Sequence, residues 1–212
     1  MKIPFTVGQF LAVFQSYNEA IWPAQVVAYV LGALAIMLAR KKTNVAGRVI
    51  SLVLSVFWLW TGAVYHIAYF SAINKAAYVF GAAFIIQGLL FLIYGVITPR
   101  LTFQFKSDIY SLAGLIFVLY GIVVYPILGY FLGHGYPRSP GFGVAPCPTT
   151  IFTFGILLWG DRKIPKVTLI VPLLWSIVGF FAALSLSVRE DFGLVVAGVV
   201  GTALIVLRDR RR

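Results

Sequence analysis

The chain has 212 residues, of which 61% are hydrophobic and only 11% are charged. Soluble domains contain about 45–50% apolar and about 25% charged residues, so this composition excludes a soluble enzyme, a disordered tail and a disulfide-stabilised secreted module. The 17 Lys and Arg residues outnumber the 6 Asp and Glu residues and give a formal net charge of +11. Binding of nucleic acid would require a basic face on a soluble domain, and the sequence predicts no such domain.

The first segment of the chain predicts an amphipathic helix over residues 6–18. Thr6, followed three residues later by Gln9, has the pattern of a capping box. Phe10, Phe14 and Tyr17 fall on one face of the helix. We therefore expect an interfacial helix on the outer surface of the membrane, with an irregular tail as the alternative.

Seven apolar segments follow, and most are long enough to cross a membrane, since about 20 helical residues span the roughly 30 Å hydrocarbon core. A backbone in hydrocarbon must satisfy its own hydrogen bonds, which a helix does. The sequence therefore predicts an all-α fold, a polytopic membrane helix bundle of about seven transmembrane helices that forms one domain over residues 1–212. The predicted spans are Trp22–Ala39, Ala46–Phe70, Ala77–Ile97, Ser111–Leu132, the short fifth helix Pro148–Trp159, Val167–Ser187 and Phe192–Leu207.

The basic residues predict the orientation of these helices. With seven spans, 13 Lys and Arg residues fall on the side of the C-terminus and four fall on the other side. Basic residues concentrate in the short cytoplasmic loops of membrane proteins. We therefore expect the N-terminus outside and the C-terminus in the cytoplasm.

The charged residues all lie outside the predicted spans or at their ends, and Arg48 is the deepest. Carboxylates and lysines buried within membrane spans mark proton relays, voltage sensors and retinal sites. The sequence therefore argues against a retinal protein and against a carrier driven by the protonation of carboxylates.

The segment Gly133–Gly155 is the most unusual part of the chain, because four prolines interrupt it. The helix predicted after them, Pro148–Trp159, would be only about 18 Å long, roughly 12 Å shorter than the hydrocarbon core is thick. We expect residues 133–147 to dip inward from the outer face, since irregular backbone is tolerated at membrane depth where it lines a cavity or packs in protein. Pro148 is expected at the first helical position, with Cys147 beside the cap.

The uncharged polar residues of the outer half predict a cavity that faces outward. The candidate ligand-binding residues are His66, His134, Cys147, Tyr65, Gln87 and Thr149. Imidazole and thiolate suit zinc or copper, so His66, His134 and Cys147 are also the candidate metal ligands, although no diagnostic spacing joins them. The alternatives are a cavity without metal and a loop that only plugs the outer face, with Cys147 as a small core residue. No catalytic residue is predicted.

Three blocks of sequence carry a resemblance to a known family: WPAQ at Trp22–Gln25, VYHIAYFSAIN at Val64–Asn74, and GHGYPRSP with PCPTTIFTFG inside Gly133–Gly155. The chain resembles a family of uncharacterised bacterial integral membrane proteins of about this length, a domain of unknown function. Some members carry a generic permease label. The resemblance implies a multi-pass protein of the bacterial inner (plasma) membrane and supplies no binding or catalytic residues.

We therefore predict a small bacterial inner-membrane permease or ligand-binding membrane protein with an outward-facing cavity. The alternatives are a membrane-embedded metal-dependent enzyme and an accessory or assembly subunit of the membrane; the sequence favours a role that is not enzymatic. The expected partners are the lipid bilayer and a small-molecule or ion substrate, with no nucleic acid, and a homo-oligomer is compatible with the sequence. No cofactor is predicted beyond the zinc or copper alternative.

Overall fold

The computed structural model describes residues 4–186 and 188–212, and the regular structure of these residues is helical. A 3-10 turn, Arg189–Asp191, precedes the last helix. Phe103 and Gly160 form one isolated β-bridge, and the predicted all-α fold is confirmed. The helices are α1 Val7–Ala20, α2 Ala24–Leu38, α3 Asn44–Ala72, α4 Ala77–Ile97, α5 Ile109–Phe131, α6 Pro146–Leu158, α7 Val167–Leu186 and α8 Phe192–Arg210.

Five of the described helices are long and apolar enough to cross a membrane, and a sixth crossing results if α1 and α2, which meet at 83°, form one broken span. These helices coincide with the predicted spans, except that the span Val167–Ser187 ends at Ser187, which lies outside the described residues. The chain thus has the helices of a multi-pass membrane protein. The count of seven crossings and the orientation of the termini stay predictions.

Helix α1 begins at the predicted capping box. The Thr6 hydroxyl accepts a hydrogen bond from the Gln9 backbone N–H at 3.2 Å, and Gln9 Oε1 accepts one from the Thr6 backbone N–H at 2.8 Å. Phe14 and Tyr17 pack against Tyr65 of α3, with ring centroids 5.0 and 5.4 Å apart. Because of the bend after α1, this aromatic face closes over one end of α3.

The short helix α6 lies at the centre of the bundle, and all 13 of its residues are buried. Helices α3, α5, α7 and α8 pack around it. Its backbone approaches that of α5 so closely that a Cβ on Gly155 would lie 2.7 Å from the Gly114 carbonyl oxygen. Small residues permit such close helix packing in membranes.

The first helical residue of α6 is Pro146, so the prediction that this helix begins at Pro148 was wrong. The backbone N–H groups in the first turn of a helix have no partner within the helix, so prolines at several of these positions cost no hydrogen bond. Both Pro146 and Pro148 therefore fit in the first turn, and Cys147 lies between them inside the helix.

The segments 39–43, 98–108, 159–166 and 208–212 meet at one end of the bundle, which we name the basic end. Backbone hydrogen bonds join the first three segments: Gln104 N–H donates to the Trp159 carbonyl, Asp161 N–H to that of Thr102, and Phe105 N–H to that of Ala39. At this end the buried Arg208 donates to the carbonyl oxygens of Leu157 and Leu158 at 3.0 and 2.8 Å. It thereby satisfies the last carbonyl groups of α6.

Candidate functional site

A cavity of about 420 Å³ lies at the opposite end of the bundle, which we name the cavity end. Helices α1, α3, α4 and α7 enclose it together with the start of α6. Its lining is mainly aromatic and aliphatic, and Asp191 is the one charged side chain among the described residues that line it. The lining side chains on which the following description depends are Phe14, Tyr65, Phe70, Phe80, Cys147, Trp175, Phe181, Ser185 and Asp191.

The Gly/Pro segment 133–145 passes inward between the helices, and α1 holds it in place. The Tyr17 hydroxyl donates a hydrogen bond to the Val144 carbonyl at 2.6 Å. The Asn18 side-chain amide donates to the carbonyls of Pro137 and Ser139 at 2.7 and 2.8 Å. These bonds satisfy backbone groups that a segment of irregular structure would otherwise bury without partners.

The packing of this segment explains why residue 143 is a glycine. Phe142 packs against Phe57 of α3 and Phe152 of α6, with ring centroids 5.6 and 5.0 Å apart. Gly143 follows with φ of +71°, and a Cβ there would lie 2.7 Å from the Cβ of Ala28. Only glycine adopts this conformation readily, and its missing side chain lets the segment touch α2.

Asp191 forms the acidic part of the cavity wall. Its side chain is buried at the start of α8, and its Oδ1 accepts a hydrogen bond from the Tyr125 hydroxyl at 2.6 Å. The Cys147 thiol, in the first turn of α6, lies next to the same carboxyl group. Helices α5, α6 and α8 thus bring a phenol, a thiol and a carboxyl group together at the cavity.

Glu190, the preceding residue, is equally buried and points to a different partner. His134 Nε2 lies 2.6 Å from Glu190 Oε1, and the Glu190 side chain is 0% exposed. The Tyr120 hydroxyl donates to the Glu190 backbone carbonyl at 2.8 Å. The turn between α7 and α8 is therefore tied by side chains to α5 and to the loop that follows α5.

His66 lies in a π-helical part of α3, Thr61–Tyr69, a geometry that is rare and frequently found at functional sites. Aromatic rings surround the imidazole, among them those of Phe84 and Trp175, with centroids at 4.8 and 5.1 Å. Neither ring nitrogen has a hydrogen-bond partner among the described residues. Because Trp175 contacts His66 and also lines the cavity, the imidazole lies behind the cavity wall.

Gln87 and Thr149 are both buried and lie outside the described lining of the cavity. The Gln87 side-chain amide donates to the Thr168 carbonyl at 3.0 Å, which joins α4 to the start of α7. The Gln87 Oε1 and Thr149 Oγ1 atoms have no partner among the described residues. Neither residue belongs to the described wall of the cavity, and the bond of Gln87 to the start of α7 points toward the basic end.

Of the six predicted site residues, the structure therefore brings Tyr65 and Cys147 to the cavity wall. It places His66 behind the wall and pairs His134 with Glu190. No three His, Cys, Asp or Glu side chains within residues 4–186 and 188–212 are grouped as a metal ion would require. The predicted metal set of His66, His134 and Cys147 is thus not assembled in this structure.

Glu190, Asp191 and Arg208 were not predicted as site residues, because all three lie just outside the predicted spans. All three side chains are buried, so a position at the end of a predicted span does not mean exposure in this bundle. The indication available in the sequence was the pair Glu190–Asp191 itself, which directly precedes an apolar span on the side that is poor in charge. Buried ionisable residues in membrane helices are functional candidates.

Comparison with known proteins identifies a family without a biochemical assignment. The model of a family of unknown function, DUF6064, matches residues 7–212. No curated protein and no solved structure is significantly similar to the chain.

Proposed function

The chain belongs to the DUF6064 family, and because the function of that family is unknown, we propose from the geometry that the protein binds a small amphiphilic organic cation in the cavity. We infer that it acts as a permease or ligand-binding protein of the bacterial inner membrane, with this cavity on the outer side. One observation carries the proposal: Asp191 is buried in the wall of a cavity whose other described lining residues are uncharged.

The charge of Asp191 favours a cationic ligand. No Lys, Arg or His residue in the described part of the chain forms a salt bridge with this carboxyl group. Burial of an ionised carboxylate without a basic partner costs several kcal/mol. A ligand with a positive charge would supply the missing partner, whereas an anion would be repelled.

The aromatic lining favours the same class of ligand. The rings of Tyr65, Phe70, Phe80 and Trp175 line the cavity with Asp191. A cation over an aromatic face gains about 2 kcal/mol in a desolvated site. A volume of about 420 Å³ lies in the range of sites for small molecules. An ammonium or phosphonium group with apolar substituents matches both the acidic and the aromatic part of the wall.

The position of the cavity supports entry from the outer leaflet. Two lining residues of α7, Phe181 and Ser185, are exposed on the lateral surface of the bundle. The 13 basic residues near the basic end favour a cytoplasmic location for that end, which would turn the cavity end outward. An amphiphile could then enter between α4 and α7 without first crossing the bilayer.

The test is the binding of tetraphenylphosphonium to the purified protein in detergent, with tetraphenylborate as an anion of similar shape. We expect the wild type to prefer the phosphonium. Asp191→Asn, which keeps an acceptor for Tyr125, should lower its affinity at least tenfold, equivalent to about 1.4 kcal/mol. Asp161→Asn at the basic end is the matched control and should leave the affinity unchanged. Equal binding of the phosphonium by wild type and Asp191→Asn would overturn the proposal.

Cys147, the one cysteine of the chain, reports on occupation of the cavity. Tetraphenylphosphonium should slow the reaction of this thiol with a small maleimide, because a bound ligand would cover it. The unfolded protein gives the reference for full labelling. Protection that persists in Asp191→Asn at the same phosphonium concentration would show that the carboxyl group does not select the ligand.

A transport experiment separates a permease from a protein that only binds. Proteoliposomes containing the wild type should accumulate tetraphenylphosphonium faster than those containing Asp191→Asn when a membrane potential, negative inside, is applied. Equal rates, despite a difference in binding, would assign the protein to ligand binding without transport.

A further inference from the structure

A second concave site lies at the basic end, between the start of α7 and the last turns of α8. This cleft has a volume of about 340 Å³. Its described lining combines three basic side chains, one acidic side chain and four aliphatic ones: Lys163, Lys166, Arg210, Asp209, Ile164, Leu169, Ile205 and Val206. It is separate from the cavity, which lies at the other end of the bundle.

The one acidic side chain in this cleft is already occupied by protein groups. Asp209 Oδ1 forms a salt bridge with the buried Arg208 at 2.9 Å. Its Oδ2 accepts a hydrogen bond from the Ile164 backbone N–H at 2.7 Å. The negative charge of Asp209 is therefore balanced from within the bundle, and it does not neutralise the basic residues of the cleft.

The three basic residues keep their charge available. Lys163, Lys166 and Arg210 are exposed, and none of them forms a salt bridge in the parts of the chain that the structure describes. Three positive charges around a concave site attract and focus an anion. Groups with several acceptor oxygens, such as a phosphate, satisfy several such donors at once.

The aliphatic residues indicate which kind of phosphate fits. Leu169 and Ile205 are buried beneath the basic side chains, and Val206 is half-buried beside them. The neighbouring Ile170 and Leu207 are exposed on the apolar outer surface of α7 and α8. The cleft is therefore polar toward the loops and apolar toward the bilayer, and this arrangement matches a headgroup joined to acyl chains.

We propose that the cleft binds the phosphate group of an anionic phospholipid. Lys163, Lys166 and Arg210 contact the phosphate, and the aliphatic wall contacts the first part of an acyl chain. A basic pocket between helices at the membrane surface is a recognised mode of binding for anionic headgroups. The bound lipid would link the start of α7 to the end of α8.

The experiment measures the thermal unfolding temperature and the lipid affinity of the full chain in neutral detergent. Phosphatidylglycerol, phosphatidylcholine and inorganic phosphate are added separately at equal concentration. We expect phosphatidylglycerol to stabilise the wild type, with a smaller effect at high salt because exposed charges are screened. Phosphatidylcholine should give no such shift. An equal shift with inorganic phosphate would assign the cleft to soluble phosphates and overturn the lipid proposal.

Two variants separate this cleft from the general positive charge of the basic end. The triple variant Lys163→Gln, Lys166→Gln and Arg210→Gln should lower the affinity for phosphatidylglycerol about 100-fold, since each basic residue near an anionic lipid surface contributes about 1 kcal/mol. Its matched control, Arg40→Gln, Lys41→Gln and Arg211→Gln, removes the same charge from exposed positions outside the cleft. Equal losses in the two triple variants would overturn the proposal.

A third variant, Val206→Trp, fills the cleft and keeps every charge. It should also lower the affinity for phosphatidylglycerol at least tenfold, because a larger side chain occupies the space of the lipid. Unchanged affinity in this variant would show that the headgroup binds elsewhere on the basic end. The helical circular dichroism of each variant in detergent provides an independent check that it is folded.

Discussion

The two ends of the bundle differ in whether their charged side chains are buried or exposed. At the cavity end, Glu190 and Asp191 are buried and contact a histidine, tyrosines and a thiol from other elements. At the basic end, most of the Lys and Arg residues are exposed, and the acidic Asp161 there is paired with Lys42 and Lys106 at the surface.

The exposed charges of the basic end and the buried charges of the cavity end have different physical explanations. Exposed basic residues are well explained by topology and by attraction to anionic lipids. Buried carboxyl groups have an energetic cost that neither effect offsets. The cavity end, with few charges, is therefore the better candidate for ligand recognition.

Arg208 is the exception at the basic end, since it is buried there and bonded to the end of α6. We therefore expect the loss of Arg208 to destabilise the protein as the loss of a buried group at the cavity end does, and more than the loss of an exposed neighbour. Burial, rather than the end of the bundle, should decide how much stability is lost with a charge.

The largest loss of stability is expected from His134→Ala. This substitution leaves the Glu190 carboxyl group buried without its partner, and breaking a buried pair in this way costs about 3–5 kcal/mol. The measurement is the free energy of unfolding of the purified protein in detergent. The neighbouring Arg138→Ala, on an exposed side chain, should change it by less than about 0.5 kcal/mol.

A double variant tests the cause of that loss. Glu190→Gln removes the buried charge, so the additional effect of His134→Ala in this background should be smaller than in the wild type by about 1 kcal/mol or more. Additive effects would mean that the two side chains are not coupled, contrary to the distance of 2.6 Å between them.

A somewhat smaller loss is expected from Arg208→Gln. Loss of the guanidinium leaves the Leu158 carbonyl group without a donor, whereas the Leu157 carbonyl group still accepts from the Gly160 backbone N–H, and an unsatisfied buried group costs about 1–3 kcal/mol. We expect the free energy of unfolding to fall by about 1–3 kcal/mol. Arg211→Gln, an exposed neighbour, is the control. Similar values for Arg208→Gln and Arg211→Gln would contradict the role of Arg208 in holding α6.

The fold could be predicted because its elements depend on local composition. The long apolar segments and the capping box at Thr6 are determined by residues close together in the sequence. Accordingly, α3, α4 and α5 coincide with predicted spans. The start of α6 was missed by two residues because the first turn of a helix tolerates proline at several positions. Its complete burial depends on neighbours that are distant in sequence.

The site was predictable only in part. The glycines and prolines near Cys147 indicated a site there, and the position of Tyr65 near the outer end of a span indicated that residue. Trp175 and Asp191 reach the same cavity from α7 and from the turn before α8, and no spacing in the sequence indicates that meeting. His66 and His134 have partners that the tertiary structure supplies, namely a group of aromatic rings and Glu190.

A moderate effect is expected from Gly193→Ala at the cavity end. A Cβ at this position would lie 2.3 Å from Cε1 of Tyr120, so the phenol must move away from the Glu190 carbonyl to which it donates. Such overpacking costs about 1–3 kcal/mol. In Gly8→Ala, where the nearest heavy atom would be 3.9 Å away, the same change should stabilise α1 slightly. A neutral Gly193→Ala would mean that Tyr120 does not hold the turn.

The smallest effect is expected from Lys106→Met at the basic end. The pKa of Asp161 is lowered from its usual 3.8, first by the hydrogen bond from Lys106 at 2.7 Å and then by the charges of Lys106 and Lys42. A lowered pKa in the folded state means that the ion pair stabilises the protein above the unfolded pKa and that this contribution is lost as the pH falls through the folded value.

Because Lys106 is 39% exposed, the difference in unfolding free energy between wild type and variant should be below about 1 kcal/mol at pH 7. That difference should disappear as the pH falls below the lowered pKa of folded Asp161, where the carboxyl group becomes protonated. Lys41→Met is the control, and a loss above 2 kcal/mol for Lys106→Met would show that the basic end depends on its charges as strongly as the cavity end does.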